Sequence, residues 1–212
     1  MDGPLGALGW GVIGYLLGAI PFGLIVGRLL GGVDLRASGS GRTGTTNALR
    51  TIGIGGAVLV FVLDVAKGLA AVWLARAIWA GDPAWTDWVA ALAGAAAVIG
   101  HIWSVFIRFR GGRGVATSTG GLLGLAPWSL VVLAPLVAVI IWRWRFVSLA
   151  SLTAACVAPF VIAGLAVAGL APLPAVLYAI VGGLLIVFAH ADNIGRLRRG
   201  TERRIGQREA AG

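Results

Sequence analysis

Three short stretches of the chain gather the residue types that hold phosphate. The first, residues 37–50, sets Ser38, Ser40, Arg42, Thr43, Thr45, Thr46, Asn47 and Arg50 among Gly39, Gly41 and Gly44. Glycine lets backbone N–H groups close on an anion, and hydroxyl, amide and guanidinium groups add further donors. A plain interhelical turn needs no such concentration. The second, residues 108–120, runs Arg108-Phe109-Arg110-Gly111-Gly112-Arg113-Gly114 and then Val115-Ala116-Thr117-Ser118-Thr119-Gly120. Glycines around Arg113, with Thr117 and Ser118 on the first turn of a helix, suit a phosphate held at a helix N-terminus. The spacing is neither that of a P-loop nor that of a dinucleotide fingerprint after a strand. The third, residues 190–202, opens with His190-Ala191-Asp192-Asn193 and closes with Thr201-Glu202. His190 and Asn193 fall one helical turn apart on one face.

Two features lie inside apolar runs. Asp64 and Lys67 are three residues apart on one side of a helix, and His101 sits near the end of another apolar run. Charges within a bilayer face a partner or a polar cavity, so a structural ion pair and a direct substrate contact both fit. There is no Cys/His cluster with metal spacing and no GxSxG elbow. The fifth residues after the two histidines are Phe106 and Gly195, so neither completes an HxxxxD pair. No metal or cofactor is expected. Without a dedicated base, a phosphate on the substrate could accept a proton.

The elements that position these residues are membrane helices. Of 212 residues, 58% are hydrophobic and 12% charged, and the mean hydropathy is +0.93. A soluble domain of this size cannot hide that much apolar surface. Apolar runs cover about 5–30, 52–79, 85–105, 115–126, 128–142, 146–168 and 173–189. The fourth and fifth are short of the ~20 residues of a full crossing, and Pro127 separates them. The loops after the first, third and fifth runs are basic: Arg36, Arg42 and Arg50, then Arg108, Arg110 and Arg113, then Arg143 and Arg145. So is the tail, with Arg196, Arg198, Arg199, Arg203, Arg204 and Arg208, whereas the intervening loops carry no base. That alternation predicts seven crossings, the N-terminus outside and the C-terminus cytoplasmic; six crossings break it. The expected architecture is all-α: a polytopic helix bundle of one domain over 1–212, with two short spans. Met1-Asp2-Gly3-Pro4 has no basic n-region, so the first run is expected to be retained. The net charge of +9 is spread between spans and forms no basic domain, which excludes a nucleic-acid partner. Cys156 is expected to be a small buried residue within a span.

Several of these runs together resemble the bacterial acyl-phosphate:glycerol-3-phosphate acyltransferases, small seven-span membrane enzymes. The likeness rests on Gly18-Ala19-Ile20-Pro21-Phe22-Gly23, on Asp34 through Arg50, and on Asp64-Val65-Ala66-Lys67-Gly68. It continues with Gly100-His101, Gly111 through Thr117, and His190 through Gly206. Arg42 stands where the family carries an amide, Arg113 where it carries lysine, and Ala191 where it carries arginine. The resemblance implies transfer of an acyl group from a long-chain acyl phosphate to the 1-hydroxyl of sn-glycerol 3-phosphate. The products are 1-acyl-sn-glycerol 3-phosphate and phosphate, in the first step of phospholipid synthesis. It implies catalytic roles for Ser38, His190 and Asn193. Substrate contacts follow for Ser40, Asn47, Arg50, Lys67, His101, Gly111, Gly112, Arg113, Gly114, Thr117, Ser118 and Glu202. The partners implied are the lipid bilayer, the two substrates and the enzyme that supplies acyl phosphate, at a bacterial inner membrane with the site facing the cytoplasm. The alternative from another class is an organic-phosphate transporter using the same basic loops, but the chain shows none of the internal repeats common in transporters.

Overall fold

The computed structural model describes residues 3–207, so Arg208 lies outside the described residues. Ten α-helices follow one another among these residues: α1 (Gly3–Ala19), α2 (Phe22–Gly31), α3 (Thr45–Thr51), α4 (Gly53–Ile78), α5 (Thr86–Ile102), α6 (Val115–Leu125), α7 (Ser129–Trp144), α8 (Val147–Val167), α9 (Leu173–Ala189) and α10 (Ala191–Arg198). Among the described residues, four segments are long and apolar enough to cross a membrane: Gly3–Gly31, Gly53–Ile78, Pro83–Ile107 and Val147–Val167. The pair α9–α10, bent by 61°, makes a fifth, and α6 and α7 are shorter apolar helices.

Two expectations are corrected. The first apolar run, one candidate span, is two helices, because Pro21 cannot donate to the helical ladder and disfavours helical backbone at Ile20. Cys156 is exposed on the outer face of α8 and is not buried. The first basic loop contains a helix of its own, α3. Pro127 does separate α6 from α7, as expected.

The helices turn their small residues inward and their large apolar ones outward. On α1, Gly6, Trp10, Gly14 and Gly18 are buried, while Leu5, Leu8, Val12 and Leu16 are exposed. A side chain on Gly14 or Gly18 would strike the carbonyls of Ala93 and Ala97 on α5, so the two helices pack backbone to backbone and run parallel. Small residues at four-residue spacing serve this close approach in membrane helices. A second, smaller apolar cluster of Val26, Leu35, Ala48, Ala57 and Val60 seats α2 and α3 against α4. That cluster anchors the first basic loop. At the opposite end of the bundle, Arg76 of α4 pairs with Asp87 of α5 at 2.6 Å and donates to the Gly124 carbonyl of α6.

Candidate active site

The first basic loop is wound around one side chain. Asn47, on the first turn of α3 and 2% exposed, donates through Nδ2 to the carbonyls of Leu35, Ser38 and Arg42, at 2.7, 3.0 and 2.8 Å. Its Oδ1 accepts the Ser40 N–H at 2.9 Å. Gly39 and Gly41 take φ of +58° and +68°, and a Cβ on Gly39 would overlap the Asn47 carboxamide. The amide is fully engaged, so Asn47 shapes the loop and has no donor left for a ligand. At its entrance, Asp34 caps the 3-10 turn Leu35–Ala37 and pairs with Arg36 at 2.6 Å. The hydrogen bond from Arg36 holds the Asp34 carboxyl down at about 2. The winding turns Ser40, Arg42, Thr45, Thr46 and Arg50 toward a common cavity.

The second loop packs differently. Gly111 and Gly112 donate their N–H groups to the carbonyls of Ile102 and His101, both at 3.1 Å. A Cβ on Gly112 would overlap Nε2 of His101. These glycines let the loop fold down on the end of α5, and their own N–H groups are engaged there. Gly114, at φ +82°, caps α6 and lines the cavity with Val115 and Ala116, so the helix N-terminus faces it. Thr117 and Ser118 lie behind that wall. Thr117 is fully buried where α4 crosses α6, its carbonyl against Gly68. The Ser118 carbonyl accepts the Tyr178 hydroxyl at 3.0 Å. Neither lines the cavity, and both are buried between helices.

Arg113 is the charged side chain that this loop sends into the cavity. Its guanidinium donates to Asp192 at 2.9 Å, and its Nε is buried with no hydrogen-bond partner. Burial pulls its pKa below the usual guanidinium value, with Asp192 opposing. A buried donor left over beside a cavity is a place for an anion.

The third cluster closes the wall. His190 sits at the bend between α9 and α10, its Nδ1 2.8 Å from the Ile186 carbonyl. A carbonyl only accepts, so Nδ1 carries the proton and Nε2 is left for the cavity. Asn193 donates to Glu202 Oε1 at 2.6 Å and keeps a buried, unpartnered Oδ1. Glu202 also accepts from Ser148 on α8 at 2.8 Å and from Arg196 at 2.7 Å. Burial raises its pKa, but these three donors outweigh it and hold the carboxyl below the usual glutamate range. Glu202 thereby ties the C-terminal segment to α8 and α10.

The cavity measures about 460 Å³, within the range of small-molecule sites. Five arginines (42, 50, 113, 196 and 203) face it against three carboxylates, Asp64, Asp192 and Glu202. Apolar lining comes from Phe61 of α4, Val137 and Ile141 of α7, and Val147 of α8. Of the residues singled out in the sequence, Ser40, Asn47, Arg50, His101, Arg113, Gly114, His190, Asn193 and Glu202 line it. Lys67 does not. Its Nζ is spent on Asp64 at 2.7 Å and the Ile20 carbonyl at 2.9 Å. Ser38 lines an adjoining open groove with Arg50, Arg145 and Arg203.

Sequence reasoning missed Ser148 and Ser151, two buried serines at one end of an otherwise apolar helix, whose three-residue spacing was the available signal. It also set Arg145 aside as an orienting charge. Arg145 instead grips the C-terminal segment, donating to the Ile205 carbonyl and accepting its N–H, each at 2.8 Å.

Comparison with known proteins adds an independent observation. Residues 8–200 match the glycerol-3-phosphate acyltransferase family. A glycerol-3-phosphate acyltransferase of Rubrobacter xylanophilus is 44% identical, covering 95% of this chain and 96% of its own. One of Gloeobacter violaceus is 45% identical, covering 97% and 98%. Among solved structures, PlsY (YgiH), an integral membrane glycerol 3-phosphate acyltransferase, is similar in its glycerol 3-phosphate form with a TM-score of 0.83. It shares 39% identity, covering 95% of this chain and 96% of that one. Its lysophosphatidic acid form gives a TM-score of 0.81 at 38% identity, with the same coverage.

Proposed function

The chain belongs to the glycerol-3-phosphate acyltransferase family, and on that premise we propose that it acylates the 1-hydroxyl of sn-glycerol 3-phosphate from a long-chain acyl phosphate. The observation that carries this is that one cavity joins cationic and apolar lining. Arg113, with its unpartnered Nε, and the α6 N-terminus face the same cavity as Phe61, Val137, Ile141 and Val147. An acyl phosphate needs both kinds of wall, and glycerol 3-phosphate needs only the cationic one.

In the reaction, the glycerol 1-oxygen bonds to the acyl carbon and the acyl–oxygen bond to phosphate breaks. The hydroxyl proton passes to the departing phosphate, giving 1-acyl-sn-glycerol 3-phosphate and inorganic phosphate. Acyl phosphate is already activated, so no protein nucleophile is required. The protein's part is positioning and charge stabilisation. Arg50, Arg113, Gly114 and Ser40 hold phosphate oxygens. His190, through Nε2, and Asn193, through Oδ1, orient the glycerol hydroxyls, with Glu202 fixing Asn193. Ser38 contacts substrate from the adjoining groove.

Placement in the membrane belongs to the same proposal: seven crossings, the two short helices included, with the N-terminus outside and the basic end in the cytoplasm of a bacterial cell. Basic loops at the cavity end support that orientation, and an enzyme that makes acyl phosphate would deliver it there. The test is purified protein in lipid nanodiscs with glycerol 3-phosphate and either palmitoyl phosphate or palmitoyl-CoA. The expected result is phosphate release matched one to one by lysophosphatidic acid, from acyl phosphate. Acylation from the thioester alone overturns the donor assignment.

A further inference from the structure

Asp64, Lys67 and His101 lie beneath the cavity, 1%, 4% and 6% exposed, and the reaction above gives Asp64 and Lys67 no part. They form a connected path. Lys67 Nζ joins Asp64 to the Ile20 carbonyl, at the break that Pro21 makes between α1 and α2. Asp64 Oδ1 lies 3.5 Å from Nδ1 of His101, an electrostatic contact and not a hydrogen bond. The His101 carbonyl accepts the Gly112 N–H, and the ring abuts the face of Gly112 where a Cβ would otherwise be. The next residue is Arg113. A carboxylate in the wall of a phosphate site repels its ligand unless it is neutralised, and Lys67 neutralises this one.

We infer that Asp64 is a positioning residue for Arg113, holding the His101 ring on which the Gly112–Arg113 turn rests. The inference depends on the proposal that Arg113 holds substrate phosphate. A guanidinium set loosely by one ångström loses much of its contribution in the transition state.

Kinetics of D64N, R113A and the double variant D64N/R113A in nanodiscs test it. Because D64N leaves Lys67 as an unpaired buried charge, D64N/K67M, which removes both charges, is measured in parallel. The expected result is a KM for glycerol 3-phosphate raised on the order of tenfold in D64N or D64N/K67M, with kcat changed less. D64N/R113A should be no worse than R113A alone, since a residue acting only through Arg113 has nothing further to lose. Losses that multiply in the double variant overturn the inference, as do wild-type constants in both charge-removed variants beside an impaired R113A. Wild-type constants in R113A itself would remove the phosphate role of Arg113, and the inference with it.

Discussion

The loops at 37–50 and 108–120 look alike as sequence and are built on opposite plans. Both are rich in glycine, hydroxyl groups and arginine. In the first, the glycines curve the backbone around a single amide, and the hydroxyl and guanidinium groups ride on the outside of that curve toward the cavity. In the second, the glycines are contact surfaces that press the chain onto His101, and one arginine with one helix end does the facing. Glycine enrichment therefore signals close approach of the backbone in both places.

The largest difference between the loops should appear when their arginines are removed. Arg113 is three-quarters or more shielded and has an idle Nε, so R113A removes charge-assisted hydrogen bonds worth ~1.5–3 kcal/mol. KM for glycerol 3-phosphate should rise roughly ten- to a hundredfold. R42A, in the half-buried rim of the first loop, should raise it by less. Equal effects in steady-state kinetics would erase the distinction.

The first loop should break at its centre instead. N47A orphans the Ser40 N–H and the carbonyls of Leu35, Ser38 and Arg42 together. Each buried orphan costs ~1–3 kcal/mol, so thermal unfolding in nanodiscs should shift down and proteolysis within 37–50 should accelerate. An unchanged cleavage rate would mean that the loop holds its shape without Asn47.

The glycines separate the plans further. A methyl at Gly112 meets the His101 ring, and overpacking of this kind costs ~1–3 kcal/mol. Gly44 has an ordinary φ of −84° and open space around it, so G44A should stay within about 0.5 kcal/mol of wild type. The comparison is lost if the two variants bind glycerol 3-phosphate equally well by calorimetry.

What was legible follows the same division. Helix positions, the separation at Pro127 and the gathering of three polar clusters at one end come from hydropathy and charge, which are properties of short windows. Arg113, His190 and Asn193 were legible because a charge or a polar side chain at the end of an apolar run has few other uses. The break at Ile20–Pro21 was written in the sequence as a proline, but an apolar run that continues across it hides it. Asp64 as a cavity wall and Ser148 as the anchor of Glu202 depend on which face of α4 and α8 meets which neighbour. Those faces are set by glycine contacts between helices distant in sequence, and no local pattern records them. Thr117 and Ser118 lie on the first turn of α6 as expected, but which way that turn faces is not recorded in the local pattern, and neither residue lines the cavity.

The smallest expected effect is at Thr117, and it is the one that divides a phosphate role from a packing role. The side chain is fully buried and its Oγ1 has no hydrogen-bond partner, so it already bears the cost of a desolvated hydroxyl. Valine has nearly the same shape without that hydroxyl. If Thr117 only fills the crossing of α4 and α6, T117V should leave KM and kcat unchanged and should hold or raise the unfolding temperature, since removing an unsatisfied polar group is neutral to stabilising. If the hydroxyl instead reaches substrate phosphate, KM should rise severalfold with stability unaltered. The two outcomes separate on the kinetic axis, so the KM of this single variant decides whether the second loop acts on phosphate through Arg113 and the helix end alone.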